Sequence, residues 1–191
     1  MVSLGKGPLK SRLEAAIRAL NAQIHRLDYE HQRIMERDRQ IFGKIVDAYT
    51  RHDMTHATMY ANELAEIRKM AKMLMQSRLA LEQIVMRLST VTEIGELVVT
   101  LTPAMSVIKT IRAGISKVLP EAERELGEIG NLINNIIIDA GQWGTLSITF
   151  EAANDEAQKI LAEAAAVAEQ RMSEHFPNLP TGLKSDEESK A

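Results

Sequence analysis

His52 and His56 stand four residues apart in the stretch RHDMTH, with Asp53 between them. Two imidazoles at that spacing on one helical face can hold zinc if a third ligand joins them. The sequence supplies no third ligand nearby, and the stretch is rich in polar turn formers. The pair therefore reads as turn residues, and no metal is expected. His31 and Asp38 occupy positions that are otherwise apolar and read as a buried polar pair or a contact between helices. Trp143, flanked by Gly141 and Gly144, reads as a packing anchor. The chain holds no Cys, which removes disulfides, thiolate metal sites and a Cys nucleophile. No phosphate-cradling glycine loop, zinc-protease motif or nucleophile elbow is present. No catalytic residue and no cofactor are expected, and the chain reads as something other than an enzyme.

The remaining chemistry is apolar and electrostatic, and long helices must position it. Of the 191 residues 45% are hydrophobic but only 4% aromatic, with 10 Met. That composition suits helices packed through Leu, Ile, Met and Ala better than a sheet sandwich, so the fold class is all-α. From Leu13 a seam advances in alternating steps of four and three: Leu13, Ile17, Leu20, Ile24, Leu27, His31, Ile34, Asp38, Ile41, Ile45, Ala48. A second runs Ala57, Tyr60, Leu64, Ile67, Ala71, Leu74, Arg78, Leu81, Val85, Leu88. Such stripes are the mark of helices paired lengthwise. Between them Asp53 or Thr55 can cap a new helix.

The spacing thus predicts a long antiparallel hairpin, about 9–50 and 54–100, each arm roughly 50 to 60 Å long. Pro103, Pro120 and Gly141 punctuate the next stretch, predicting shorter helices at about 103–118 and 120–140 and a core over 1–141. A linker at 142–150, a helix at 151–175 and a disordered tail at 176–191 complete the division. The alternation in TLSITF is too short and isolated to make a strand. The first residues lack the apolar run of a signal peptide, and no stretch reads as a membrane span, so a soluble cytoplasmic protein is expected.

Charge is divided along the chain. Residues 1–120 carry a net +6 and residues 121–191 a net −9. On the first helix Arg12, Arg18, Arg26, Arg33 and Arg39 share one face, whereas Glu14, Asp28, Glu30 and Glu36 lie elsewhere. Lys6 and Lys10 extend this face toward the N-terminus. Each such cation contributes about 1 kcal/mol beside an anionic bilayer. The same face could instead be solvated, paired with acids of another helix, or laid on nucleic acid; no aromatic interleaving accompanies it to favour the last. The final helix is acidic and docks through Ala157, Ile160, Leu161, Ala164, Val167, Ala168 and Met172, a face that buries little area. Beyond it, HFPNLP alternates prolines with large apolar side chains, which an extended polyproline-like segment presents at little ordering cost.

Tyr60–Leu88 (YANELAEIRKMAKMLMQSRLALEQIVMRL), Leu101–Ile129 (LTPAMSVIKTIRAGISKVLPEAERELGEI) and the segment DEAQKILAEAAAVAEQRMSEHFPNLP together resemble the archaeal ESCRT-III-like CdvB family. The resemblance covers about residues 8 to 180 and is to the shorter members, which lack the winged-helix tail of the longest. It implies a subunit that polymerises with itself and with paralogous ESCRT-III-like chains on anionic membrane. That activity serves archaeal cytokinesis and vesicle budding at the inner face of the plasma membrane. Lys6, Lys10, Arg12, Arg18, Arg26, Arg33 and Arg39 would then face the membrane, and Thr100, Thr102 and Pro103 would form the hinge of a closed-to-open switch. Phe176, Pro177, Leu179 and Pro180 match the Pro-rich motif by which such tails bind the microtubule-interacting-and-transport domain of an AAA ATPase, which disassembles the polymer. No nucleic-acid partner is expected. The alternative is a passive coiled-coil scaffold or adaptor without membrane activity.

Overall fold

The computed structural model describes residues 7–142 and 150–183. Five helices follow in order: α1 (Pro8–Thr50), α2 (Met54–Ser89), α3 (Ile94–Ile115), α4 (Pro120–Gly141) and α5 (Phe150–His175). Among the described residues there is no strand element, and the all-α class holds. Pro8 opens α1, where its missing N–H would lack a helical partner anyway. At 43 residues, α1 is about 65 Å long. The chain reverses in three residues, with His52 in the left-handed region at φ 57°. Asp53 caps α2 by accepting the His56 backbone N–H at 3.2 Å, and its other oxygen meets His56 Nδ1 at 2.7 Å. Those two bonds to His56 hold the Asp53 carboxyl below the usual carboxylate range. The i, i+4 histidines are therefore turn and cap residues, as their surroundings in the sequence implied.

The seams face each other. Leu20, Leu27, Ile45, Leu64, Leu74, Leu81 and Leu88 are all fully buried, each contributing about 1.5–3 kcal/mol of transfer free energy. At the open end of the hairpin, α3 and α4 pair with each other; α3 lies on α2, α4 on α1, and α5 on α2 and α3. One continuous core joins these elements through Leu97, Leu101, Ile108, Ile115, Leu126, Ile133 and Ile160. A separate cluster holds the hairpin tip, made of Ile41, Ile45, Ala48, Ala57, Ala61, Leu64 and Ile67 with Leu183 of the tail.

Two expected boundaries move. The second arm ends at Ser89 rather than near 100, because hydroxyls take its last carbonyls: Ser89 Oγ bonds Val85 O at 2.7 Å and Thr90 Oγ1 bonds Arg87 O at 2.8 Å. The next helix starts at Ile94 rather than 103. Its entry is closed by the Glu96 carboxylate, which accepts the Thr92 backbone N–H at 3.2 Å. Pro103 lies inside α3, buried in the core, while Thr102 Oγ1 bonds Val98 O at 2.8 Å. The tail also departs from expectation. Residues 176–183 are packed on the hairpin rather than free, and Leu183 is only 3% exposed. α3 is long and apolar enough to cross a membrane by length and composition, but one side of it, Leu97, Leu101, Val107, Ile108, Ile111 and Ile115, is buried within the helical core.

Candidate functional site

Two arginines of the α1 face, Arg12 and Arg26, are met by acids of α4. Pro120 starts α4 at a point from which Glu121, Glu125 and Asp139 reach α1. Arg26 meets Glu121 at 3.4 Å and Glu125 at 3.2 Å, Arg12 pairs with Asp139, and Gln23 donates to Glu125. Farther along, Arg33 and Arg39 turn to acids of their own helix, Glu30 at 3.0 Å and Glu36 at 3.3 Å. Lys10 and Arg18 are exposed without an ion pair among the described residues. Lys6 lies outside the described residues. Each of these partly exposed pairs contributes only about 0–1 kcal/mol. The acidic cover is therefore one that a dense anionic surface can displace. Of the alternatives for this face, pairing with the acidic part of the chain describes the conformation seen.

The elements around the expected hinge are tied by α5. Thr100, Thr102 and Pro103 sit within α3, and the break between α2 and α3 is at Thr90–Glu93. α5 contacts both flanking helices. Arg87 of α2 bonds Glu156 of α5 and holds that carboxyl below its usual range, and Lys72 pairs with Glu169. Ala153, Ala157, Ile160, Ala164, Ala168 and Met172 form the buried stripe of α5. Val167, expected on that stripe, is 39% exposed. Trp143 lies outside the described residues.

The tail after α5 forms a strap over the hairpin. Arg68 of α2 organises its start: Nε donates to Asp38 of α1 at 2.8 Å, Nη2 donates to Pro177 O at 3.0 Å, and the guanidinium lies 4.7 Å from the centre of the Phe176 ring. Asp38 is 2% exposed, so this seam carboxylate depends on Arg68 for its counter-charge. Leu179 packs against the tip cluster, and Tyr49 OH donates to Thr181 O at 3.3 Å. A tight turn, closed by Leu183 N–H on Pro180 O at 3.2 Å, uses Gly182 at φ 103° and sends Leu183 into the tip. Of the four expected docking residues, Phe176, Leu179 and Pro180 are half-buried here and Pro177 is exposed.

His31 and Asp38 do not pair with each other. Asp38 goes to Arg68, while His31 sits near Asp28, Arg78 and His175, with its Nε2 buried and without a hydrogen-bond partner among the described residues. Burial first, then Arg78, lowers the His31 pKa below 6.5, with Asp28 opposing. Arg68, Arg78 and Leu183 are functional-looking residues that sequence reasoning did not single out. The polar intruders Asp38 and Arg78 on the two seams were the available signal, since a buried carboxylate demands a cation. Among the described residues no group of three His, Asp or Glu is arranged to hold a metal ion.

Cell division protein B1 of Sulfolobus acidocaldarius is 43% identical to this chain over 185 residues, covering 96% of this chain and 86% of that protein. Cell division protein B of the same organism is 32% identical over 161 residues, covering 84% of this chain and 62% of that protein. No protein-family model matches the chain, and no solved structure matches it.

Proposed function

Because the chain belongs to the archaeal CdvB family of cell division proteins, we propose that it is the closed form of a filament subunit that acts on anionic membrane during division. The observation that carries this reading is the one-sided arginine face of α1, of which Arg12 and Arg26 are met by the carboxylates of a separate helix while Arg18 stays exposed. On a membrane, lipid headgroups replace Glu121, Glu125 and Asp139. α5 and the strap leave, and α2 and α3 are released to rearrange about Thr90–Glu93, with Pro103 a second point of yield. The freed strap then offers Phe176, Pro177, Leu179 and Pro180 to an AAA ATPase that takes the polymer apart.

Co-sedimentation with vesicles rich in anionic lipid tests the membrane face. Binding should weaken steeply with salt and drop about tenfold or more when Arg18, Arg26 and Arg33 become Glu. The triple change Glu121→Gln, Glu125→Gln, Asp139→Asn should strengthen it by uncovering Arg12 and Arg26. Binding indifferent to salt and to both variants would leave the passive scaffold as the better reading. For the tail, Leu179→Asp should abolish ATPase capture and disassembly while leaving vesicle-bound assembly intact; unchanged capture would reject the docking assignment.

A further inference from the structure

We propose that the cavity between α3, α4 and the start of α5 binds a single-chain anionic amphiphile, with its chain against Met105 and Ile108 and its head between Lys109 and Arg112. The site stands apart from the membrane reading above. Its ligand is a soluble molecule, and its residues are not those of the arginine face.

The cavity measures about 400 Å³ and is walled by α3, by Gly130 of α4 and by Ala153 and Asn154 of α5. Small-molecule sites span roughly 300 to 1,000 Å³, so the room here suits one short chain rather than the two of a bilayer lipid. The floor is apolar. Ile108, Gly130 and Ala153 are buried, and Met105 is half-buried. An unbranched thioether side chain adapts its shape to an alkyl chain laid on it.

The lip is cationic. Lys109 is exposed and makes no ion pair among the described residues. Arg112 is fixed in place: its Nε and Nη2 donate to Glu123 Oε1 at 2.9 and 2.5 Å. Its guanidinium also lies against Gly127, where a Cβ would come within 2.9 Å of Cζ. The Arg112 Nη1 has no hydrogen bond among the described residues and keeps its donors for a ligand. Ser106 and Asn154 line the same cavity and add uncharged donors. Among the described residues no carboxylate lines it, and α3 carries no acid after Glu96. Glu151 and Asp155 of α5 are exposed outside the lining. With Glu123 set against Arg112, the positive charge that remains is that of Lys109, which suits a head with a single negative charge. The larger cavity beside the α2–α3 break, about 830 Å³, has the opposite rim, with Glu93, Glu96 and Glu156 against Arg87. An anion is therefore drawn to the smaller cavity.

Decyl phosphate, kept below the concentration at which it forms micelles, is the probe, added to the full chain carrying methyl-labelled methionine. The Met105 methyl signal, assigned with Met105→Leu, should shift saturably. Those of Met59 and Met86, exposed elsewhere on the chain, should stay still. Lys109→Glu, a change at an exposed position, should weaken binding about tenfold or more. Decanol, with the same chain and no charge, should bind about tenfold or more weaker, and inorganic phosphate should leave Met105 unmoved. Because α5 supplies one wall, amide exchange along α5 should slow about threefold or more at saturation. An unmoved Met105, equal binding of decanol, or a Lys109→Glu chain that binds as the parent does overturns the proposal. So does a shift shared by Met59 and Met86, which means detergent coating the whole surface. A Met105 shift produced by inorganic phosphate alone would mean a plain anion site, and unchanged α5 exchange would mean that α5 is no wall of it; either result overturns the site as drawn.

Discussion

Replacing Arg68 by Ala should destabilise the hairpin by about 3–5 kcal/mol and free the tail at the same time. The Asp38 side chain is 3% exposed and that of Arg68 22%, so the alanine leaves a carboxylate in an apolar seam without the cation that meets it. The same change removes the stack on Phe176 and the hydrogen bond to Pro177 O. The two consequences are separable. Asp38→Leu together with Arg68→Leu replaces the pair by apolar side chains and should recover most of the lost stability, since such exchanges are often neutral. It should not recover the strap, because nothing then reads Phe176 and Pro177. Urea denaturation gives the first quantity and proteolysis of the tail the second. A cost for Arg68→Ala under about 1 kcal/mol would mean that Asp38 reaches water or another cation.

The second large effect concerns α5. Ending the chain at Gln142 should turn a monomer into a self-associating species, with assembly at a concentration at least about tenfold lower than for the full chain. α5 and the strap cover apolar stripes on α2, α3 and the hairpin tip, and their removal exposes these to a neighbouring copy. The cover is held lightly. Four of the six buried side chains of α5, Ala153, Ala157, Ala164 and Ala168, are alanines, and its ion pairs to Arg87 and Lys72 are partly solvated. The truncation also removes four basic and nine acidic residues, turning net charge from −3 to +2. It therefore favours an anionic surface as well as self-contact. Sedimentation velocity of both chains across concentration measures this; a truncated chain that stays monomeric would show that α5 restrains nothing.

Much of this architecture was legible because the seams are long and regular. Leu13 through Ala48 and Ala57 through Leu88 fixed two paired helices and the turn between them. What failed to show was local and cooperative. The end of α2 carries neither Pro nor Gly; Ser89 and Thr90 stop it through hydroxyls that any helix can also tolerate. Pro103, the obvious breaker, is carried inside α3, where Thr102 bonds back to Val98 and the proline ring is buried by neighbours. The strap was the least legible. Its prolines, Gly182 and charged continuation have the composition of a free tail. Its docking depends on space left at the tip by Ala48, Ala57 and Ala61 on two different helices. The arginine face was readable as a face, and pairing with acids of another helix, seen for Arg12 and Arg26, was one of several alternatives the sequence left open. That α4 rather than α5 supplies the acids nearest Arg12 and Arg26 required the fold.

Electron microscopy of the chain ended at Gln142, mixed with anionic and with neutral vesicles beside the full-length protein, tests the central claim most directly. The expected result is ordered filaments on anionic vesicles for the truncated chain, sparse or none for the full chain, and bare neutral vesicles for both. Bare anionic vesicles with the truncated chain dispersed in solution would contradict a membrane-bound filament subunit held closed by its own C-terminal helix and strap.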